Sequence, residues 1–166
     1  MIVRIAVILL ALVPLFGASS GCLSCSESRT RVGMSELMEK NELWNASSIE
    51  SYVLTYWRIG SFIAPSAMTS TRVVVQSGNI TQVQILNFLS GALVREESSG
   101  MFGEYFTIPR LFQEIEELNE SVKHLEVQYD EGAGFPSAIG VDPNIGVDGC
   151  GDVSDDEYTL RVKLEY

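Results

Sequence analysis

Three regimes of hydrophobic patterning follow one another along this chain. Residues 5–16 are an apolar run behind Arg4, residues 19–30 are polar and serine-rich, and the remainder follows helix or strand periodicity. In the patterned body, Met34, Leu37, Met38, Asn41 and Trp44 recur at helical spacing between Glu36, Glu39, Lys40 and Glu42, predicting a helix over 35–44 with Ser35 as its cap. Residues 51–58 are rich in Tyr, Val, Leu, Thr and Trp and read as a strand. Residues 71–76, with Val73-Val74-Val75, and 80–86, where Val83 and Ile85 alternate with Gln82 and Gln84, are two more. Ser77-Gly78-Asn79 joins that pair as a tight hairpin. Residues 90–105 read as a polar, glycine-containing loop.

The clearest helix covers 107–121. Thr107 is suited to its cap and Pro109 to its first turn, and Leu111, Phe112, Ile115, Leu118 and Val122 form one apolar stripe, with Glu114, Glu116, Glu117 and Glu120 expected to face solvent. Strands follow at 124–130 (Leu125, Val127, Tyr129 inward), at 136–142 (either Ala138 and Gly140 or Ile139 and Val141 inward) and at 158–166, the most regular alternation in the chain. The order helix-βββ-helix-βββ predicts an α+β fold: an antiparallel sheet of about six strands, two helices on one face and the other face wet.

The apolar run at 5–16 is too short for a bilayer, which needs about 20 residues. One positive charge, an apolar middle and the small residues Gly17-Ala18-Ser19-Ser20-Gly21 have the grammar of a signal peptide over 1–21. Small residues before Cys22 resemble the bacterial lipoprotein box, although Ser19 stands where that box prefers Leu. The reading is cleavage before Cys22 and lipidation of it, a flexible tether over 22–32 and a single domain over 33–166. Simple secretion, with Cys22 left as a thiol, is the alternative. Either way the chain is expected outside the cytoplasm, as a cell-envelope lipoprotein or else as a secreted or periplasmic protein.

Charge sharpens this picture. Of the net −11, the segment 22–95 carries +1 and 96–166 carries −13. An acidic half repels nucleic acid and anionic headgroups and suits cations or a basic partner. With Cys22 lipidated, Cys25 and Cys150 are the pair left for a disulfide, which an oxidising compartment permits. Sequons stand at Asn45, Asn79 and Asn119.

Catalytic signatures are missing. The chain has one histidine, His124, no Gly-x-Ser-x-Gly elbow, no phosphate loop and no dinucleotide fingerprint. The acidic stretch is the one exception: Asp142, Asn144, Asp148, Asp152, Asp155, Asp156 and Glu157 lie close together among glycines. Such oxygens suit calcium, although their spacing is not that of the helix-loop-helix calcium loop. A carboxylate pair such as Asp130 with Asp155 is the remaining route to hydrolysis.

One set of residues carries a family likeness. Thr107-Ile108-Pro109-Arg110-Leu111-Phe112, Ile115, Val127-Gln128-Tyr129-Asp130, Gly134-Phe135-Pro136, Ile139, Asp142 and Asp155-Asp156-Glu157 resemble the bacterial family of unknown function numbered 6174. The hairpin around Gly78 is similar too, and the likeness spans roughly 43–162. It implies an exported protein or lipoprotein with no established activity. Where many members carry Cys-aromatic-Cys, this chain has Ser61-Phe62-Ile63, so a role tied to that pair is absent. The combined expectation is a non-enzymatic envelope domain that binds a protein partner through exposed aromatics among Trp44, Tyr52, Tyr56 and Trp57. A calcium- or cation-binding domain is the alternative, and a hydrolase ranks last.

Overall fold

The structure, a computed structural model, describes residues 30–60, 68–142 and 157–166. The expected signal peptide, Cys22, Cys25, Cys150, Asn144, Asp148, Asp152, Asp155 and Asp156 lie outside the described residues. Helix α1 (Met34–Ala46) leads into strands β1 (Tyr52–Gly60), β2 (Thr69–Gln76), β3 (Asn79–Asn87) and β4 (Leu93–Glu96). A 3-10 helix (Ser99–Glu104) then precedes helix α2 (Ile108–Ser121), β5 (His124–Tyr129), β6 (Pro136–Asp142) and β7 (Tyr158–Glu165). The strands form one antiparallel sheet in the order β4-β3-β2-β1-β7-β6-β5.

The α+β class is as expected, but the sheet has seven strands, not six, and the order is helix, four strands, helix, three strands. The extra strand is β4, inside the segment read as a loop. All four of its residues are exposed, so no inside-outside alternation marked it; pairing with β3 alone makes it a strand. It forms one edge of the sheet.

Both helices cover the same face. Leu37 and Trp44 of α1 and Ile108, Leu111, Phe112 and Ile115 of α2 share one core with Tyr52, Leu54, Tyr56, Val73, Val75, Val83, Leu125, Ile139, Val141, Leu160 and Val162. The two readings of β6 resolve in favour of Ile139 and Val141, because Ile139 pairs with Leu160 of the inward set. In α2 the Thr107 hydroxyl accepts a hydrogen bond from the Arg110 N–H at 3.3 Å, as its sequence promised. In α1 the cap is Gly33, not Ser35, with no side-chain bond, and Met34 and Met38 are exposed. Only Leu37 and Trp44 of that periodic set are buried, so α1 rests on the core by a narrow stripe.

The hairpin turn is as tight as expected. Ser77 and Gly78 both have positive φ, the type I′ geometry whose twist matches paired strands. At the far edge, residues 30–32 lie along the domain. The Leu125 N–H donates to the Thr30 carbonyl, and buried Asn119 of α2 bonds both the N–H (3.0 Å) and the carbonyl (3.2 Å) of Val32.

Candidate functional site

The face of the sheet turned away from the helices is built by strict alternation. Tyr56 points into the core, so Trp57 points out. Register then places its neighbours. Trp57 lies opposite Ser70 on one side and Arg161 on the other; Ser70 lies opposite Leu86, and Leu86 opposite Leu93. The Trp57 ring meets Phe88 with centroids 5.6 Å apart. Ser70 is buried beneath this cluster although it faces away from the core. Ile59, Phe88, Leu89 and Leu93 around it are all exposed. One corner of the open face, over β1 to β4, is therefore apolar.

The next row is cationic. Thr55 sits between Arg72 of β2 and Lys163 of β7. Arg72 donates to the Gln84 amide oxygen at 3.1 Å, and Lys163 to the Glu165 carboxylate at 2.7 Å, which holds that carboxyl below its usual range. Arg161 makes no ion pair among the described residues. Three cations flanking an apolar corner stand out in a chain of net charge −11.

The aromatic set expected to be exposed divides three to one. Trp44 packs edge-on against Tyr52 (5.5 Å) and Phe135 (6.4 Å) inside the core. The Tyr52 hydroxyl accepts the Ile108 N–H at 3.1 Å, tying β1 to the start of α2. Tyr56 is buried against Phe106, and burial pushes its hydroxyl up to about 12. Only Trp57 faces outward. Phe88, Leu89 and Leu93 escaped the sequence reading because they lie in a segment without periodicity; the adjacent apolar pair Phe88-Leu89 beside Ser90-Gly91 was the available signal.

The carboxylates fall elsewhere. Asp130 closes the β5–β6 turn: its side chain accepts the Gly132 N–H (3.0 Å) and the Ala133 N–H (2.7 Å). Pairing of Val141 with Tyr158 makes Asp142 and Glu157 the next facing positions, where β6 leaves the sheet and β7 returns. Among the described residues no three His, Cys, Asp or Glu side chains come together as metal ligands. His124 lies half-exposed 3.3 Å from Glu126. Of the sequons, Asn45 and Asn79 are exposed, whereas Asn119 is buried and bonded as described. A shallow depression of about 400 Å³ at the other end of the sheet is walled by Ser51, Tyr52, Val53, Val74 and Glu165; there the Ser51 hydroxyl accepts the Ser77 N–H at 3.1 Å and Glu165 pairs with Lys163. No helix among the described residues is long and apolar enough to cross a membrane.

One family model matches the chain, Family of unknown function (DUF6174), over residues 36–164. That is more than three quarters of its 166 residues and takes in strands β1 to β6 and β7 as far as Leu164. No curated protein matches, and no solved structure matches.

Proposed function

The chain belongs to DUF6174, a family defined without an activity, and on that premise we propose an exported, lipid-anchored envelope module that binds another protein and catalyses nothing. The apolar corner beside the cationic row carries this reading. Trp57, Leu86 and Leu93 offer adjoining apolar surface, and Arg72, Arg161 and Lys163 border it. A contiguous apolar patch rimmed by charge is the usual form of a recognition surface, with tryptophan and arginine its common anchors. The partner is a protein segment with apolar side chains flanked by carboxylates. Anchoring rests on the sequence around Cys22, and the absent catalytic signatures support the lack of chemistry.

The test is in-envelope photocrosslinking of the full-length protein. A photoreactive residue at Leu93 or Arg161 should give one discrete adduct, lost on Trp57→Ala. The same residue at Glu116, on the outer face of α2, should give none. Equal adducts from both faces, or none from the open face, sink the reading. Cys22→Ala should move the protein out of the membrane fraction.

The cation-binding reading has one observation in its favour. The strands on either side of the acidic stretch bring Asp142 and Glu157 to facing positions. Binding to the native state raises the unfolding midpoint, so a higher midpoint in calcium than in chelator carries that reading and an unchanged one removes it. A hydrolase has less support, since Asp130 already accepts two backbone N–H groups in its turn.

A further inference from the structure

The turn between β3 and β4 is apolar at its tip, and its backbone donors are all taken up within the protein. Leu89 is 67% exposed and Phe88 37%, with Ile59 and Leu93 exposed beside them. From Asn87 to Ala92 the sequence carries no charge. Every backbone N–H of those six residues is bonded within the protein. The Asn87 N–H donates to Ala92 O, Phe88 to Met68 O, and Gly91 to Asn87 O. The Asn87 side-chain oxygen accepts the Leu89 and Ser90 N–H groups, and the Ser90 hydroxyl accepts that of Ala92. Among the described residues no hydrogen bond reaches the Phe88, Leu89, Ser90 or Gly91 carbonyl, so the set covers the donors alone. In hydrocarbon each unsatisfied backbone group costs several kcal/mol, so such a turn suits the headgroup layer, where water still reaches the carbonyls.

Its place in the fold names the surface it meets. All strand pairs are antiparallel, so the end of β3, the end of β1 and the start of β5 lie at one end of the sheet. Thr30, where the N-terminal segment reaches the domain, bridges to His124 at that same end. Five strand spacings separate β3 from β5, roughly 24 Å. The eight steps from Cys22 to Thr30 reach up to about 28 Å. A bilayer holding a lipid on Cys22 is therefore within reach of the turn.

We propose that the Phe88-Leu89 turn is a lipid-surface contact that inserts beside the N-terminal anchor, at uncharged headgroups. The choice of zwitterionic lipid follows from the uncharged turn on an acidic protein. With two attachments at one end, the strands stand on the bilayer and the open face looks along it. The distance argument rests on the anchored reading of the chain; the insertion itself does not.

The experiment separates the two. Protein beginning at residue 22 and carrying Cys22→Ala, so free of both the lipid and the apolar run at 5–16, is floated with phosphatidylcholine vesicles and with phosphatidylglycerol vesicles. Binding to phosphatidylcholine is expected, weaker on phosphatidylglycerol at low salt. Leu89→Glu should cut the bound fraction by about tenfold or more, given a large apolar side chain lost from the interface, with the unfolding midpoint unchanged. Phe88→Ser with Leu89→Ser is the second variant and should behave alike. No flotation of the Cys22→Ala protein on either lipid, or equal flotation of the turn variants, overturns the proposal. Loss of the Leu93 crosslink in Leu89→Glu without any vesicle binding overturns it too, and makes the turn part of the protein-binding face. If instead Cys22→Ala fails to change membrane fractionation while Leu89→Glu does, the anchor falls and the turn stands.

Discussion

Among the described glycines, Gly134 is the one at which an added side chain would collide with backbone. Its φ is +77°, and an added Cβ would sit 2.7 Å from the Lys40 carbonyl and 3.1 Å from Leu43 Cβ. The backbone of the β5–β6 turn thus touches α1 directly. Gly134→Ala combines a left-handed backbone penalty with overpacking and should cost about 2–4 kcal/mol in urea unfolding. Tyr129 is the reverse case. Its hydroxyl is buried with no hydrogen-bonding partner among the described residues, while its ring stacks on Phe112. Burial and then the nearby Glu36 carboxylate push that hydroxyl well above the usual range. Tyr129→Phe keeps the ring and removes the orphan, so stability should be unchanged or higher by up to about 1 kcal/mol. A drop of that size would show that the hydroxyl has a partner in solution.

At the scale of elements, the segment leading into α1 is held by bonds to two distant parts of the fold. Residues 30–32 are fixed by the Thr30 carbonyl to Leu125 and by Asn119 to both polar groups of Val32. Asn119→Ala should cost about 1–3 kcal/mol and leave the Val32 amide open to hydrogen exchange while α2 stays protected. These residues were read as the end of a tether because their polar, serine-rich surroundings carry no period; a single buried Asn some ninety positions away docks them. Legibility elsewhere tracked how deep an element is buried. Helix α2, with its capping Thr107 and its stripe from Leu111 to Val122, was plain, as was β7, because one face is buried and the other wet. Strand β4 was hidden because exposed Leu93 and Val94 look like any loop. The open-face corner was half legible: Trp57 was named, but with three core aromatics, since composition marks an aromatic residue without saying which face it takes. Only the pairing of Trp57 with Ser70 and of Leu86 with Leu93 brings the patch together.

At the scale of the whole molecule, tyrosines govern behaviour in alkali. Tyr52, Tyr56 and Tyr158 are all raised above 10.0, first by burial. Tyrosine is charged only when deprotonated, so a raised folded-state value means that the native state holds the proton more tightly than the unfolded chain. The stability this gives is complete below pH 10 and is lost as pH rises through about 12, the Tyr56 value. The unfolding midpoint should therefore fall across that window, and Tyr56→Phe should flatten the fall. A Tyr56→Phe profile parallel to wild type would remove Tyr56 as the cause.

Strand β7 sits between β1 and β6, and nothing else joins β1–β4 to β5–β6 within the sheet. Its pairing with β1 links Val53 to Glu165, the next-to-last residue of the chain. The four-strand unit β1–β4 is linked strand to strand by local connections, whereas its union with β5–β6 runs through the single β1–β7 seam, between residues far apart in sequence. Closing that contact costs more chain entropy than any hairpin in the sheet, so the seam is the slow event in assembly and the place where the domain's cooperativity resides.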